Sequence, residues 1–143
     1  MAALIDDKIA APANNRLIDQ MLREGKKRYA ISQLIPFAAD TVLHETTPAQ
    51  LQWLKENELE IWSFFAAEKK LYSTNQRENM KYTNPAPYSP GMPDEAPGNV
   101  GTWLGYRIVC AYLRRHPDTR LADLLQLNNS DLLLREAQYK PKK

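Results

Sequence analysis

The stretch from Gly98 to Arg115, "GNVGTWLGYRIVCAYLRR", constrains the fold more than any other part of the chain. It is apolar on nearly every side of a helical wheel, so a helix here must be surrounded by other elements rather than laid on a surface. Yet it carries Gly101 and Gly105, each of which costs a helix interior roughly 1 kcal/mol relative to alanine. The two are four residues apart and share a stripe with Ile108 and Tyr112. Such a stripe lets a second backbone come close, and the helix beginning near Thr47 is the expected neighbour. Gly98 stands at the expected start of the glycine helix, where free N–H groups can face a loop or a ligand. The spacing matches neither a dinucleotide fingerprint nor a phosphate loop, and no strand precedes it. His116 and Pro117 end the helix.

The rest of the chain supplies the surroundings. A first helix is expected from Asn14 or Asn15, with Leu17, Ile18, Met21, Leu22, Gly25 and Tyr29 on one arc and Pro36 as its stop. In "TTPAQ", Thr47 serves as N-cap, Pro48 as first helical residue and Gln50 as capping-box partner. A long central helix should run from there to about Leu71, because Leu51, Trp53, Leu54, Ile61, Trp62, Phe64, Phe65 and Leu71 cover more than one of its sides. Between 73 and 97, Pro85, Pro87, Pro90, Pro93 and Pro97 exclude a persistent helix or central strand, leaving a long proline-rich loop. "TRLADLLQL" and "SDLLLREAQY" read as two short helices. No strand of useful length is visible, so the expected class is all-α. The expected organisation is a flexible tail over 1–13 and a single helical domain over 14–143, built on the long central helix, the buried glycine helix and the proline-rich loop.

Composition narrows function. The 143 residues, 43% of them hydrophobic, suffice for one core without cross-links. Nineteen basic and 17 acidic residues are dispersed along the chain, with a basic cluster only at Lys140, Lys142 and Lys143. That is not the footprint of a nucleic-acid binder. The lone Cys110 excludes a disulfide framework or thiolate metal site and reads as a small buried hydrophobe. No apolar run is long enough for a transmembrane helix, and "MAALIDDKIAAP" has acids where a signal peptide has bases.

Two charges stand on apolar faces and are the candidate buried polar sites. Glu58 has Leu51, Leu54, Ile61, Trp62 and Phe65 around it by helical spacing, and Arg107 is the sole charge between Val100 and Leu113. Each needs a partner if buried. A Glu58–Arg107 pair is the economical arrangement, whereas an unpaired carboxylate would have its pKa raised by desolvation, as in catalytic acids. Tyr106, Gly98, Gly101 and Gly105 complete this candidate cleft. Glu24 lies at the border of the first helix's apolar face, four residues before Arg28, a spacing suited to a surface ion pair.

Four segments, "LIDQMLREGKKRYAISQLIP", "TPAQLQWLKENELEIWSFFAAEKKLYST", "APGNVGTWLGYRIVCAYLRR" and "LLLREAQYKPKK", together resemble the C-terminal half of the gliding-motility-associated lipoprotein B family and its predicted zincin-type metallopeptidase relatives. The resemblance implies a metallopeptidase-like helical domain in which an upstream helix carries H-E-x-x-H and the glutamate of a downstream "EG" completes a zinc site. Glu24 stands at that downstream position. Two histidines four apart share one helix face, and a third ligand from another helix leaves the fourth zinc position open. Here His44 and His116 are far apart and "HETTP" has no second histidine, so His44 reads as a loop residue. Without the upstream half, the chain alone is expected to need no cofactor and to be inactive as a peptidase, zinc belonging to a complete family member. The resemblance implies the C-terminal portion, or a shortened relative, of such a protein, facing the periplasm at the cell envelope. The alternative is a non-catalytic envelope module whose proline loop and Tyr82, Tyr88 and Trp103 hold a protein or peptide partner.

Overall fold

The computed structural model describes residue 9 and residues 14–67, 69–84, 89, 91–93 and 95–141. In chain order the helices are α1 (Leu17–Leu34), α2 (Asp40–Leu43), α3 (Pro48–Glu56), α4 (Glu58–Ala67), a 3-10 turn at Lys70–Tyr72, α5 (Gln76–Thr83), α6 (Val100–Arg115), α7 (Leu121–Gln126) and α8 (Ser130–Ala137). There is no strand among the described residues, and the chain is all-α.

Helices α1 and α6 form the central pair, with α5, α7 and α8 touching one or both of them. Their contact is backbone to backbone. A Cβ built on Gly105 would lie 1.9 Å from the Met21 carbonyl oxygen, and one built on Gly25 would lie 2.4 Å from the Gly105 carbonyl carbon. Leu17, Ile18, Met21 and Leu22 of α1 and Leu104 and Ile108 of α6 are all at most 1% exposed. They share one core with Leu54, Ile61, Phe65, Leu124 and Leu133. The glycine stripe therefore faces α1 rather than the helix from Thr47, although α4 does touch α6. Gly101 faces α5, where its added Cβ would come within 2.8 Å of the Tyr82 carbonyl oxygen.

The long helix expected from Thr47 is interrupted. Its start follows the sequence reading: Thr47 Oγ1 accepts from Gln50 N–H at 3.1 Å and Gln50 Oε1 accepts from Thr47 N–H at 2.9 Å. At Asn57 the backbone leaves helical geometry (φ −121°, ψ 23°), and the Asn57 side-chain amide donates back to the Trp53 carbonyl at 2.8 Å. An asparagine that bonds to a nearby carbonyl competes with helix propagation, so α3 and α4 are separate and Glu58 begins a helix instead of lying in the middle of one.

The segment 73–97 is not wholly a loop. Asn75 Oδ1 accepts from Glu78 N–H at 3.2 Å and caps α5, and the buried Asn79 amide donates to the Ser73 carbonyl at 2.9 Å. Beyond α5, Ser89 Oγ donates to the Pro97 carbonyl at 2.6 Å. Helix α6 opens at Val100 with Asn99 as its cap, so Gly98 precedes it. Tyr82 and Trp103, expected at a partner surface, are 6% and 3% exposed and belong to the core. Tyr88 lies outside the described residues, as do Lys142 and Lys143. Of the tail expected over 1–13, Ile9 alone is described, and it is buried with Ala30 and Leu125.

Replacing Gly105 by alanine gains about 1 kcal/mol of helix propensity but forces α1 and α6 apart, because the obstructing atoms are backbone. The variant should lose about 2 kcal/mol net, and a chemical-denaturation midpoint equal to the parent's would exclude the backbone contact.

Candidate functional site

The first turn of α4, the outer face of α6 and the chain after α8 converge on one concavity. Glu58 Oε2 accepts from Tyr139 Oη at 2.6 Å and from Arg107 Nε at 3.4 Å. Tyr139 reaches it because Gln138 adopts a left-handed conformation (φ 46°) at the end of α8, turning the chain back toward α4. Its ring then packs edge-on against Trp62, centroids 5.3 Å apart. Burial, and next the carboxylate of Glu58, push the Tyr139 hydroxyl pKa up, which keeps it a donor. The concavity, about 750 Å³, is lined by Glu58, Arg107, Arg114, Arg115, Tyr139 and Lys140 among others.

The expected Glu58–Arg107 partners thus meet, but unequally buried: the Glu58 side chain is 14% exposed and that of Arg107 38%. An ion pair with one member this exposed contributes up to about 1 kcal/mol, whereas a hydrogen bond to a buried charge contributes about 1.5–3 kcal/mol. Tyr139→Phe should therefore destabilise the chain more than Arg107→Gln does. Equal or reversed losses in urea melts would mean that Tyr139 is not the main support of Glu58.

A second polar group lies between α1, α2 and α6. His44, read from sequence as a loop residue, is 5% exposed. It caps α2, its carbonyl accepts from the Asn99 amide at 2.8 Å, and its ring meets Tyr106 edge-on at 4.8 Å. Tyr106 is half-buried, and burial with the neighbouring Cys110 pushes its hydroxyl up to about 12. Burial first, and then the positive charge of Arg28, lower the His44 pKa to about 4 from 6.5. Asp40 opposes this, while Lys55 and Arg107 add to it. Between pH 6.5 and 4 the unfolded chain binds the proton that folded His44 refuses, so stability falls as the pH falls through that window. The loss attributable to His44 approaches about 3 kcal/mol near pH 4. His44→Gln should flatten the pH dependence of the denaturation midpoint there; a variant as acid-sensitive as the parent would show that His44 is not the group responsible.

Glu24 does not join either group. Its side chain is 30% exposed and pairs with Lys27 at 3.3 Å, three residues on, rather than with Arg28. Arg28 is buried and approaches Glu45, Nη2 to Oε1 at 3.9 Å. His116 stacks on Tyr112 with centroids 4.5 Å apart and lies 3.8 Å from Glu136. Among the described residues no three His, Cys, Asp or Glu side chains are grouped so as to hold a metal. Sequence reasoning missed Tyr139, and also Asp19 and Lys26, both buried. Asp19 receives Arg16 N–H at 2.9 Å and Arg16 Nε at 3.0 Å, and Arg16 also reaches Asp131 of α8 at 3.1 Å. Lys26 Nζ donates to the Leu127 carbonyl. The one signal available for Asp19 was its place three residues after a helix start.

The family model described as gliding motility protein GldB matches residues 1–141. The chain belongs to the GldB family. No curated protein and no solved structure matches it. The GldB match covers the first three segments named above, the fourth as far as Pro141, and both polar groups; it says nothing of a metallopeptidase. No helix among the described residues of this GldB-family chain is long and apolar enough to cross a membrane.

Proposed function

We propose that this chain is a non-catalytic binding module of the gliding machinery in the cell envelope, and that a protein partner docks in the concavity around Arg107. The observation that supports this is the concavity itself, lined by Arg107 and Tyr139 over a polar floor at Glu58, with Trp62 packed edge-on against the Tyr139 ring. Tryptophan, tyrosine and arginine are the residue types that dominate binding hot spots. The floor is rigid because Glu58 is held from two elements, which lowers the ordering cost of binding.

A second reading is favoured by Glu24, whose partly exposed carboxylate adjoins Gly25 and is paired with the half-buried Lys27. In that reading the chain is part of a metallopeptidase-like protein, and Glu24 becomes the third zinc ligand when an H-E-x-x-H helix is supplied. A lone carboxylate does not make a zinc site, so the 143-residue chain by itself should take up zinc weakly and cleave nothing. Isothermal titration with zinc tests this: a tight one-to-one site lost in Glu24→Gln would restore the enzyme reading.

The two readings also part in the cell. In a gliding bacterium dependent on this protein, the Arg107→Glu, Arg114→Glu double variant should abolish gliding at normal protein levels, and Glu24→Gln should leave it intact. The opposite pattern would reject the binding-module reading.

A further inference from the structure

The same concavity carries a charge imbalance that identifies what it receives. Among the described residues four cations line it, Arg107, Arg114, Arg115 and Lys140, against the single carboxylate of Glu58. That carboxylate is engaged most closely by Tyr139, and Arg107 reaches it through Nε alone at 3.4 Å. Both Nη groups of Arg107 are therefore left without a hydrogen-bond partner among the described residues. Arg115 spends its Nε on the Ala137 carbonyl at 3.0 Å and has no carboxylate partner among the described residues. Arg114 and Lys140 likewise have none among those residues. Several cations elsewhere do have acid partners, as Lys27 does with Glu24, Lys81 with Glu78, Arg120 with Asp123 and Arg28 with Glu45.

We infer that this concavity binds a carboxylate of an acidic peptide segment, gripped by the free Nη edges of Arg107 and Arg114. This rests on the binding-module reading and deepens it. The guanidinium fork matches a carboxylate in two parallel hydrogen bonds, and a concave wall of one sign concentrates the oppositely charged ligand. A peptide carboxylate is preferred over inorganic phosphate because Ala111, Ala137 and Pro141 line the same concavity and offer apolar contact to the chain that carries the carboxylate, which a free phosphate lacks. The carboxylate can belong to an Asp or Glu side chain or to a chain terminus, which share this chemistry.

The test uses the full chain and three hexapeptides: one containing Asp-Glu with a free C-terminus, the same peptide amidated, and an Asn-Gln version, also amidated. Titration calorimetry at low salt should give saturable binding of the first, weakened by added NaCl. Retention in the amidated peptide assigns the grip to side-chain carboxylates, and loss assigns it to the terminus. Arg107→Gln and Arg114→Gln should each weaken binding at least about tenfold, Arg114→Lys should recover part of it, and Lys55→Gln, outside the concavity, should change nothing. Circular dichroism should show all variants folded. Equal binding of the Asn-Gln peptide, affinity unchanged in both arginine variants, or competition by inorganic phosphate as strong as by the acidic peptide would each overturn the inference. If the peptide binds as stated but the arginine variants still glide, the carboxylate site stands and its role in motility fails. If they cease to glide but no acidic peptide binds, the ligand assignment fails and the binding-module reading stands.

Discussion

Where Gly25 faces Gly105, α1 and α6 approach until backbone meets backbone, and the space left there admits no further carbon atom. Interaxial distance is set by what stands at the contact, so this pair of glycines fixes the spacing of the two central helices. The remaining elements fill around that spacing: α5 lies over Gly101, Leu17 N–H is tied to the Ser73 carbonyl at 2.9 Å, and Arg16 spans to Asp131 of α8. The cost of two glycines in helix interiors is offset by the dense apolar contact that their absence of side chains permits along both helices.

The same contact determines which side of α6 is left for other work. Residues two apart on a helix point about 200° away from one another, so with Gly105 against α1, Arg107 faces the opposite direction. Arg107, Ala111, Arg114 and Arg115 fall on one side by helical spacing, and all four line the concavity. Helix α6 thus has one face committed to the core and another presenting its cations toward Glu58 and the C-terminal segment. Tyr139 completes the wall only because Gln138 accepts a left-handed conformation, which L-residues adopt at a cost.

Some of this was legible in the sequence and some was not, for definable reasons. Gly101 and Gly105 announced a close approach, yet glycine spacing says only that something comes near and not which helix does; Gly25 lay on the arc of α1 and was the missing half of the contact. The apolar arc from Leu51 to Leu71 ran through Asn57, whose propensity to bond a nearby carbonyl is too local to appear in a periodicity. Helix α5 escaped notice because "QRENMKYT" buries only Asn79 and Tyr82 and shows almost no apolar face. Glu58 and Arg107 were recognisable as charges on apolar faces. Tyr139 was not, since its partnership depends on one backbone angle, and the burial of His44 depends on tertiary packing against Tyr106 and Asn99.

A formal charge of +2 over 143 residues describes a nearly neutral protein, but the average conceals segregation. Lys27, Lys81 and Arg120 each pair with an acid three residues away, an arrangement that secures solubility and little stability. The cations around Glu58 come instead from α6 and the C-terminal segment, and three of them have no acid at all among the described residues. Like charges held together on a concave wall repel one another and lower the stability of the fold. Glu58 relieves only part of that repulsion, because its closest bond is to Tyr139 rather than to a cation. A bound anion supplies the remainder. Residual strain of this kind is relieved only on binding, so it adds to the affinity for the ligand instead of to the stability of the free chain.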